Sequence, residues 1–289
     1  MSTHTDPTVR HDIVMLFDIT DGNPNGDPDA GNRPRVDPET GHGLITDVSI
    51  KRKIRDTIVV AAGDQPGYGI FVRAGTALNS TLERSYHETG LKVDKKTTNA
   101  DPARAWLCEN YFDIRLFGAV LSSGNTPALG QIRGPLQVSF GRSFDPVTPS
   151  EHAITRQVHT TEKDEKEKHG GTMGNKWTIP YGLYKTTLSY SATRGVQTGV
   201  TEQDLVLLYR CLENLFDHTS SAARATMATR KLFVFTHDDA FGKAPMHALV
   251  DRVKIARREG VDLARSFDDY VVSVDQENLP NGVTLDELT

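Results

Sequence analysis

Cysteine is scarce: the 289-residue chain has two, Cys108 and Cys211, far apart and outside any metal-ligand spacing. That excludes a disulfide-stapled scaffold and a cysteine-based zinc site. A reducing cytoplasm is the expected setting, with both thiols as small packing groups. No run approaches the roughly 20 apolar residues of a membrane span. The first residues, MSTHTDPTVRHD, have no apolar core, so no secretory signal is expected there. G-x-x-x-x-G-K-[ST], H-E-x-x-H and G-x-S-x-G are all missing, which removes the sequence signatures of a P-loop, a zincin and an α/β-hydrolase. There is no internal repeat and no long low-complexity tract.

Hydrophobic residues make up 37% of the chain and the mean hydropathy is -0.43, a soluble composition on the polar side. The length suits one large domain, or a core domain with substantial insertions. The net charge of -5 argues at first against a nucleic-acid partner, but its distribution changes that reading. Residues 262–289 hold seven acidic residues and one basic, so the preceding 261 residues carry +1. Residues 33–55 hold six Lys and Arg against three Asp and Glu, a local balance of +3. A basic surface is compatible with an acidic average.

Residues 11–20, HDIVMLFDIT, form an apolar run of strand length. Residues 21–45 are rich in Gly, Pro, Asn and Asp, and prolines at 24, 28, 34 and 38 exclude helix, so a long loop is expected. Residues 46–62 read as a helix, capped by Thr46 or Asp47, with Ile50, Ile54 and Ile58 as its buried stripe. At 100° per residue, Lys51, Arg52 and Arg55 cluster on a separate face, and Lys53 falls elsewhere. Residues 63–110 are mixed, with a short helix over 102–111. Strands are expected at 113–121, 136–144, 176–192 and 230–236, with irregular chain over 145–176 and a mixed-charge run EKDEKEK. The best helix is 201–217, where Leu205, Leu208, Leu212, Leu215 and Phe216 share one face behind the cap Thr201. A last strand is expected at 269–274 after an intervening helix. Without the irregular regions 63–110 and 145–180, the order is strand, helix, strand, strand, helix, strand. This α+β pattern is a ferredoxin-like βαββαβ core, the layout of RRM-type RNA binders.

The loop DGNPNGDPDAGN places Asp21, Asn23, Asn25 and Gly26 on positions 1, 3, 5 and 6 of a calcium loop. An EF-hand needs a bidentate Glu at position 12 and flanking helices; position 12 is Asn32, a strand leads in, and prolines break the chain. Turn composition accounts for the match better than calcium does. Asp21, Asp27 and Asp29 could alternatively supply carboxylates to Mg²⁺ in a nuclease, although the loop offers no companion Lys or His base. His237-Asp238-Asp239 reads as a polar turn, and His152 with His159 forms no recognised ligand set.

The start of the 46–62 helix has free N–H groups and a positive dipole end, which favour a phosphate. Lys51 and Arg55, one turn apart, extend a cationic strip that could hold a nucleic-acid backbone regardless of sequence, and Arg33 and Arg35 add charge from the loop. The competing account is an ordinary solvated helix face. The third expected strand, LQVSFGRSF, does not fit the aromatic RNP1 run with which an RRM stacks bases, so helix, loops and insertions would do the binding.

The stretch FDITDGNPNGDPDAGNRPRVDPETGHGLITDVSIKRKIRD resembles the N-terminus of the backbone subunit of CRISPR type I Cascade complexes, most closely the type I-C form of the Csd/Csh branch of the RAMP superfamily. The resemblance continues through DIRLFGAVL, GPLQVSFGRSFDPV, HAITRQVHTTE, GTMGNKWTIPYGLYKTTLSYSA and RKLFVFTHDDAFGKAP, and so covers most of the chain. It implies one RRM-like palm over 1–289, with a fingers insertion at 63–110 and a thumb hairpin at about 150–180. Several copies would polymerise along one CRISPR RNA, each thumb displacing one guide nucleotide, while target DNA pairs with the guide between. The implied RNA-binding residues are Lys51 and Arg55 first, then Arg52; Thr46, Asn25, Arg33 and Arg35 follow, and Arg156 touches RNA or the adjacent subunit. Lys95 and Lys96 could meet DNA. Implied partners are CRISPR RNA, target DNA, further copies of the chain, the RNA-processing RAMP subunit, the large PAM-reading subunit and a recruited helicase-nuclease. No cofactor, metal or membrane is implied. Type III relatives cut target RNA with an Asp in the loop after the first strand, which keeps Asp21, Asp27 and Asp29 open as catalysts of a metal-dependent ribonuclease. The type I resemblance points instead to a non-catalytic scaffold.

Overall fold

The apolar run near the N-terminus forms β1 (His11–Gly22), and nine of its first ten residues are buried. The computed structural model describes residues 3–92, 100–121, 129–156, 172–224 and 226–289. β1 is central, so both of its faces are covered. Ile13, Met15, Phe17 and Ile19 enter one apolar cluster, and Val14 and Leu16 enter another on the opposite face. Alternation along the strand makes that division.

The expected loop over 21–45 carries structure of its own. β2 (Gly26–Asp27) pairs with β3 (Arg33–Pro34) in a small hairpin, and β4 (His42–Ile45) joins the edge of the main sheet. α1 (Asp47–Ala62) follows, capped by Thr46, whose Oγ1 accepts from Ser49 N. Ile50, Ile54 and Ile58 are at most 1% exposed, each burial contributing roughly 1.5–3 kcal/mol.

Residues 63–135 build a separate packed unit. α2 (Leu78–Glu88), α3 (Asp101–Asn110), α4 (Phe112–Phe117) and the hairpin β5 (Gly118–Leu121) with β6 (Gly130–Arg133) surround a cluster that includes Phe71, Leu82, Tyr86, Leu107 and Ile132. The expected strand over 113–121 is corrected here: its first part is helix. All six residues of α4 are buried, so the apolar run reflects burial on every side, not strand alternation. Gly118, at φ +74°, ends the helix, and a Cβ there would collide with the backbone of Ile132 and Gly134.

The expected strand over 136–144 is two strands, β7 (Leu136–Val138) and β8 (Gly141–Pro146). Val138 faces Leu188, but Ser143 faces Tyr184, so the register steps by one residue at a bulge around Ser139–Phe140. The region expected to be irregular over 145–176 contains β9 (Ser150–Arg156). β9 pairs with the first part of the long β10 (Thr172–Tyr190) as a two-stranded ribbon extending beyond the main sheet. The thumb tip expected between them lies outside the described residues.

α5 (Ala192–Thr198) leads to α6 (Glu202–Glu213), where Thr201 and Asp204 form a reciprocal capping box. β11 (Met227–His237) returns beside β1. α7 (Met246–Val250), β12 (Val253–Arg257) and β13 (Tyr270–Val274) then cover the face of the sheet that carries Val14 and Leu16. The strand expected at 269–274 thus pairs only with β12 and stays out of the main sheet. β14 (Val283–Glu287), which sequence periodicity did not show, forms the sheet edge beyond β11.

The main sheet runs β14–β11–β1–β10–β8–β4, with all pairings antiparallel, and β7 also pairs with β10. Along the chain, the two strands after α1 in this sheet are therefore 136–146 and 172–190, not 113–121 and 136–144. α1 and α6 lie together on the face holding Ile13, Met15 and Phe17.

A buried ion pair ties the 63–135 unit to α6. Arg115 donates to both carboxylate oxygens of Asp204, at 3.0 and 2.7 Å, and its NH1 reaches the carbonyls of Gly67, Cys108 and Glu109. No helix among the described residues is long and apolar enough to cross a membrane.

Candidate nucleic-acid interface

A groove of about 1210 Å³ runs along the solvent side of α1, between the loop after β1, the 70–74 segment and the 218–224 loop. Six of the eight residues expected to bind RNA line it: Asn25, Arg35, Thr46, Lys51, Arg52 and Arg55. Lys53, Arg73 and Arg224 line it as well, which sets seven cationic side chains against one carboxylate, Asp56. Val48, Val60 and Val72 supply apolar walls and are 65, 57 and 48% exposed.

The loop and the helix start are held together directly. Asn25 Oδ1 accepts from both the N–H and the hydroxyl of Thr46, at 2.9 and 3.1 Å, while Thr46 Oγ1 caps Ser49. Asp47 adds a carboxylate to the first turn. One helix-start N–H is thus taken by its own cap and Asp47 brings negative charge to the first turn, while the cations of the groove lie along the flank.

On that flank the cations differ in how firmly they are held. Lys51 Nζ is 3.3 Å from Asp47 Oδ2 and 5.8 Å from the centroid of the Phe117 ring. Arg55 Nε donates to Asp113 at 2.8 Å, and its guanidinium lies 5.1 Å over the same ring. Asp113 is 1% exposed and also accepts from the backbone N–H groups of Phe71 and Val72. Arg55 is therefore part of the joint between α1 and the 63–135 unit as well as a wall of the groove. Arg52 is the open one: its side chain is 74% exposed, with Asp56 at 3.7 Å. Arg35 pairs with Asp27 at 3.2 Å, and its Nε is buried without a hydrogen-bond partner.

The two remaining expected residues are elsewhere. Arg33 lies 5.4 Å over the Trp177 ring, at the base of the β9–β10 ribbon. Arg156 ends β9 opposite Thr172; its side chain lies outside the described residues, as do Lys95 and Lys96. A family profile described as "CRISPR-associated protein Cas7" matches residues 9–275.

The chain belongs to the Cas7 family. A CRISPR-associated protein Cas7 of Haloferax volcanii is 28% identical over 234 residues, 71% of this chain and 64% of that protein, so the match spans a little under two thirds of the relative. A chain of a CRISPR RNA-guided surveillance complex in its pre-nicking state and one of a CRISPR RNA-guided surveillance complex are each 14% identical, with a TM-score of 0.48. Each covers 78% of this chain; the coverage of those chains is 78% and 68%.

Of the loop aspartates in this Cas7-family chain, Asp27 caps a turn. Asp27 accepts from Asp29 N through one oxygen and pairs with Arg35 through the other, and Asp21 adopts φ +49°. Among the described residues no group of three or more His, Cys, Asp or Glu is placed to hold a metal ion.

Three groove cations escaped the sequence reading. Arg73 and Arg224 lie in segments with no helical period to report on them. The helical wheel turns Lys53 away from Lys51 and Arg55, yet the 218–224 loop folds over it. It is 6% exposed, and burial, with Arg224 beside it, pushes its ammonium down to about 8.

Proposed function

We propose that this chain is a non-catalytic, multi-copy CRISPR-RNA-binding backbone subunit of a type I-C surveillance complex, holding the guide for pairing with target DNA. The observation that carries the reading is the groove along α1: seven cations line it, and even with Asp56 in the lining and Asp27, Asp47 and Asp113 paired behind it a positive excess remains. A charge excess of that kind attracts a phosphate backbone without regard to base sequence. The exposed Val48, Val60 and Val72 give ribose and base faces an apolar surface between the cations. Membership of the Cas7 family supports the same assignment.

In this reading the strands β11–β1–β10–β8, backed by α1 and α6, are the ferredoxin-like RRM palm. The packed unit around Phe71, Leu107 and Ile132 is the fingers, reaching past residue 110 to the β5–β6 hairpin. The β9–β10 ribbon is the stem of the thumb, with Arg33 and Trp177 at its base. Adjacent copies, target DNA and the other Cascade subunits meet the chain around the bound guide, and a separate helicase-nuclease cuts the DNA.

The test is the nucleic acid that leaves with the purified chain. RNA of uniform length, bound with equal affinity for different spacers, is expected. A preparation free of RNA that also fails to bind added CRISPR RNA at low salt refutes the proposal.

A further inference from the structure

Among the groove cations, Lys51, Arg35 and Arg55 each already hold a carboxylate: Asp47, Asp27 and Asp113. Among the described residues Lys53 and Arg224 hold none. Lys53 Nζ donates to Thr219 Oγ1 at 3.2 Å, and that hydroxyl spends its own proton on the Leu215 carbonyl at 2.7 Å. The ammonium also lies 5.3 Å from the centroid of the Phe216 ring. Its remaining N–H donors have no carboxylate in reach among the described residues. Arg224 has its Nε buried with no hydrogen-bond partner. Of the buried side-chain atoms without partners among the described residues, the two nitrogens are those of Arg35 and Arg224, and both residues line the groove.

A buried ammonium next to a guanidinium is electrostatically costly. The charged groups around Lys53 do not balance it. Arg224 and Arg52 push against its charge and Asp56 alone favours it, while His218 of the covering loop lines the same groove. The covering loop adds the hydroxyls of Ser220 and Ser221 to the groove wall. We propose that Lys53 and Arg224, with the 218–221 segment above them, form a dedicated binding site for one tetrahedral oxyanion, taking a single phosphate of the bound RNA as an anchor. Such an anion would accept from the free Lys53 donors and from Arg224 and cancel the repulsion between them. Lys51, Arg35, Arg55 and Arg52, each within ion-pair distance of a carboxylate, hold the backbone more loosely. The identity of the anion as an RNA phosphate rests on the RNA-binding reading; the existence of the site does not.

Anion binding favours the charged ammonium, so affinity should fall as Lys53 loses its proton above about 8. With a bound-state value well above 9, affinity for a short oligoadenylate, whose bases do not titrate in this range, drops about tenfold from pH 7 to pH 9. Fluorescence anisotropy on the intact chain measures it. Lys53→Met, which keeps the buried stem, should bind about tenfold more weakly at pH 7 and lose the drop; Arg224→Gln, in a surface loop, should also weaken binding. Wild-type affinity in both variants, or an unchanged drop in Lys53→Met, overturns the anchor. A second measurement separates the site from the RNA reading: sulfate is titrated against the chain with ¹³C-labelled lysine side chains. An upward move of the Lys53 titration midpoint with sulfate supports the site even if oligoadenylate does not bind at all. A midpoint that sulfate leaves in place overturns it even if RNA binds elsewhere in the groove.

Discussion

Replacing Arg55 by Ala should cost the fold far more than an exposed cation would. Asp113 sits 1% exposed beneath it and accepts three hydrogen bonds, of which the one from Arg55 Nε, at 2.8 Å, carries the compensating charge. Arg55→Ala leaves a buried carboxylate with only the N–H groups of Phe71 and Val72. Breaking one partner of a buried ion pair costs about 3–5 kcal/mol. For a chain of this size that lowers the melting temperature by roughly 6–20 °C. The loss should fall on the contact between α1 and the 63–135 unit, so amide exchange of Phe71 and Val72 should speed up selectively. The double variant Arg55→Met/Asp113→Asn should lose less than the two single changes together, because no buried charge is left alone. Calorimetry on the wild type, both single variants and the double decides the matter. A melting point for Arg55→Ala within about 1 °C of wild type would refute the argument that this arginine is a structural joint. It would leave Arg55 as a cation of the groove wall alone. Weaker RNA binding by Arg55→Ala is thus a mixed signal, and Arg52 is the cleaner probe.

Arg52→Ala, 74% exposed and 3.7 Å from an exposed Asp56, should shift stability by less than about 0.5 kcal/mol. In RNA titrations it should flatten the log–log salt slope by about 0.7; an unchanged slope removes Arg52 from the interface. Burial pushes His11 down to about 4, whereas an unfolded histidine titrates near 6.5. The unfolded chain therefore binds a proton first, so the contribution of neutral His11 is complete above pH 6.5 and is lost as pH falls towards 4, by up to roughly 3 kcal/mol. Urea midpoints of wild type and His11→Gln across that window should converge at low pH; parallel curves would contradict it. Complementary RNA incubated with the guide-loaded chain and Mg²⁺ should stay intact, and Asp21→Ala, Asp27→Ala and Asp29→Ala should change nothing in that assay; periodic cuts lost in any of the three would establish a ribonuclease.

Much of the candidate site was legible because it lies on one helix. Thr46, the isoleucine stripe and the Lys51–Arg52–Arg55 flank follow from a 3.6-residue period and a capping residue, both local properties of the chain. The first strand was equally legible, since a run buried on both faces needs no neighbour to declare itself. The 113–121 segment misled for the same reason. Six consecutively buried residues look alike as strand or helix, and what decides between them is non-local: Asp113 reaching Phe71 and Val72, and Arg115 reaching Asp204. The bulge at Ser139–Phe140 and the edge strand β14 depend on pairing partners far along the chain, which periodicity does not encode.

By itself, then, the sequence determined that a basic helix follows a turn-rich loop after a buried strand. Only the tertiary structure decided what each charge on that helix is for. Lys51 and Arg55 meet carboxylates supplied by the first helical turn and by α4, while Arg52 stays in solvent. Lys53, on the side of the helix that the wheel assigns away from the others, receives the 218–224 loop and becomes the most buried cation of the groove. A helical wheel fixes the direction in which a side chain leaves its helix. For Arg55 and Lys53 the partner comes from beyond the helix: Asp113 lies 58 residues on and Thr219 lies 166 residues on, brought there by the packing of α4, α6 and β11 around α1.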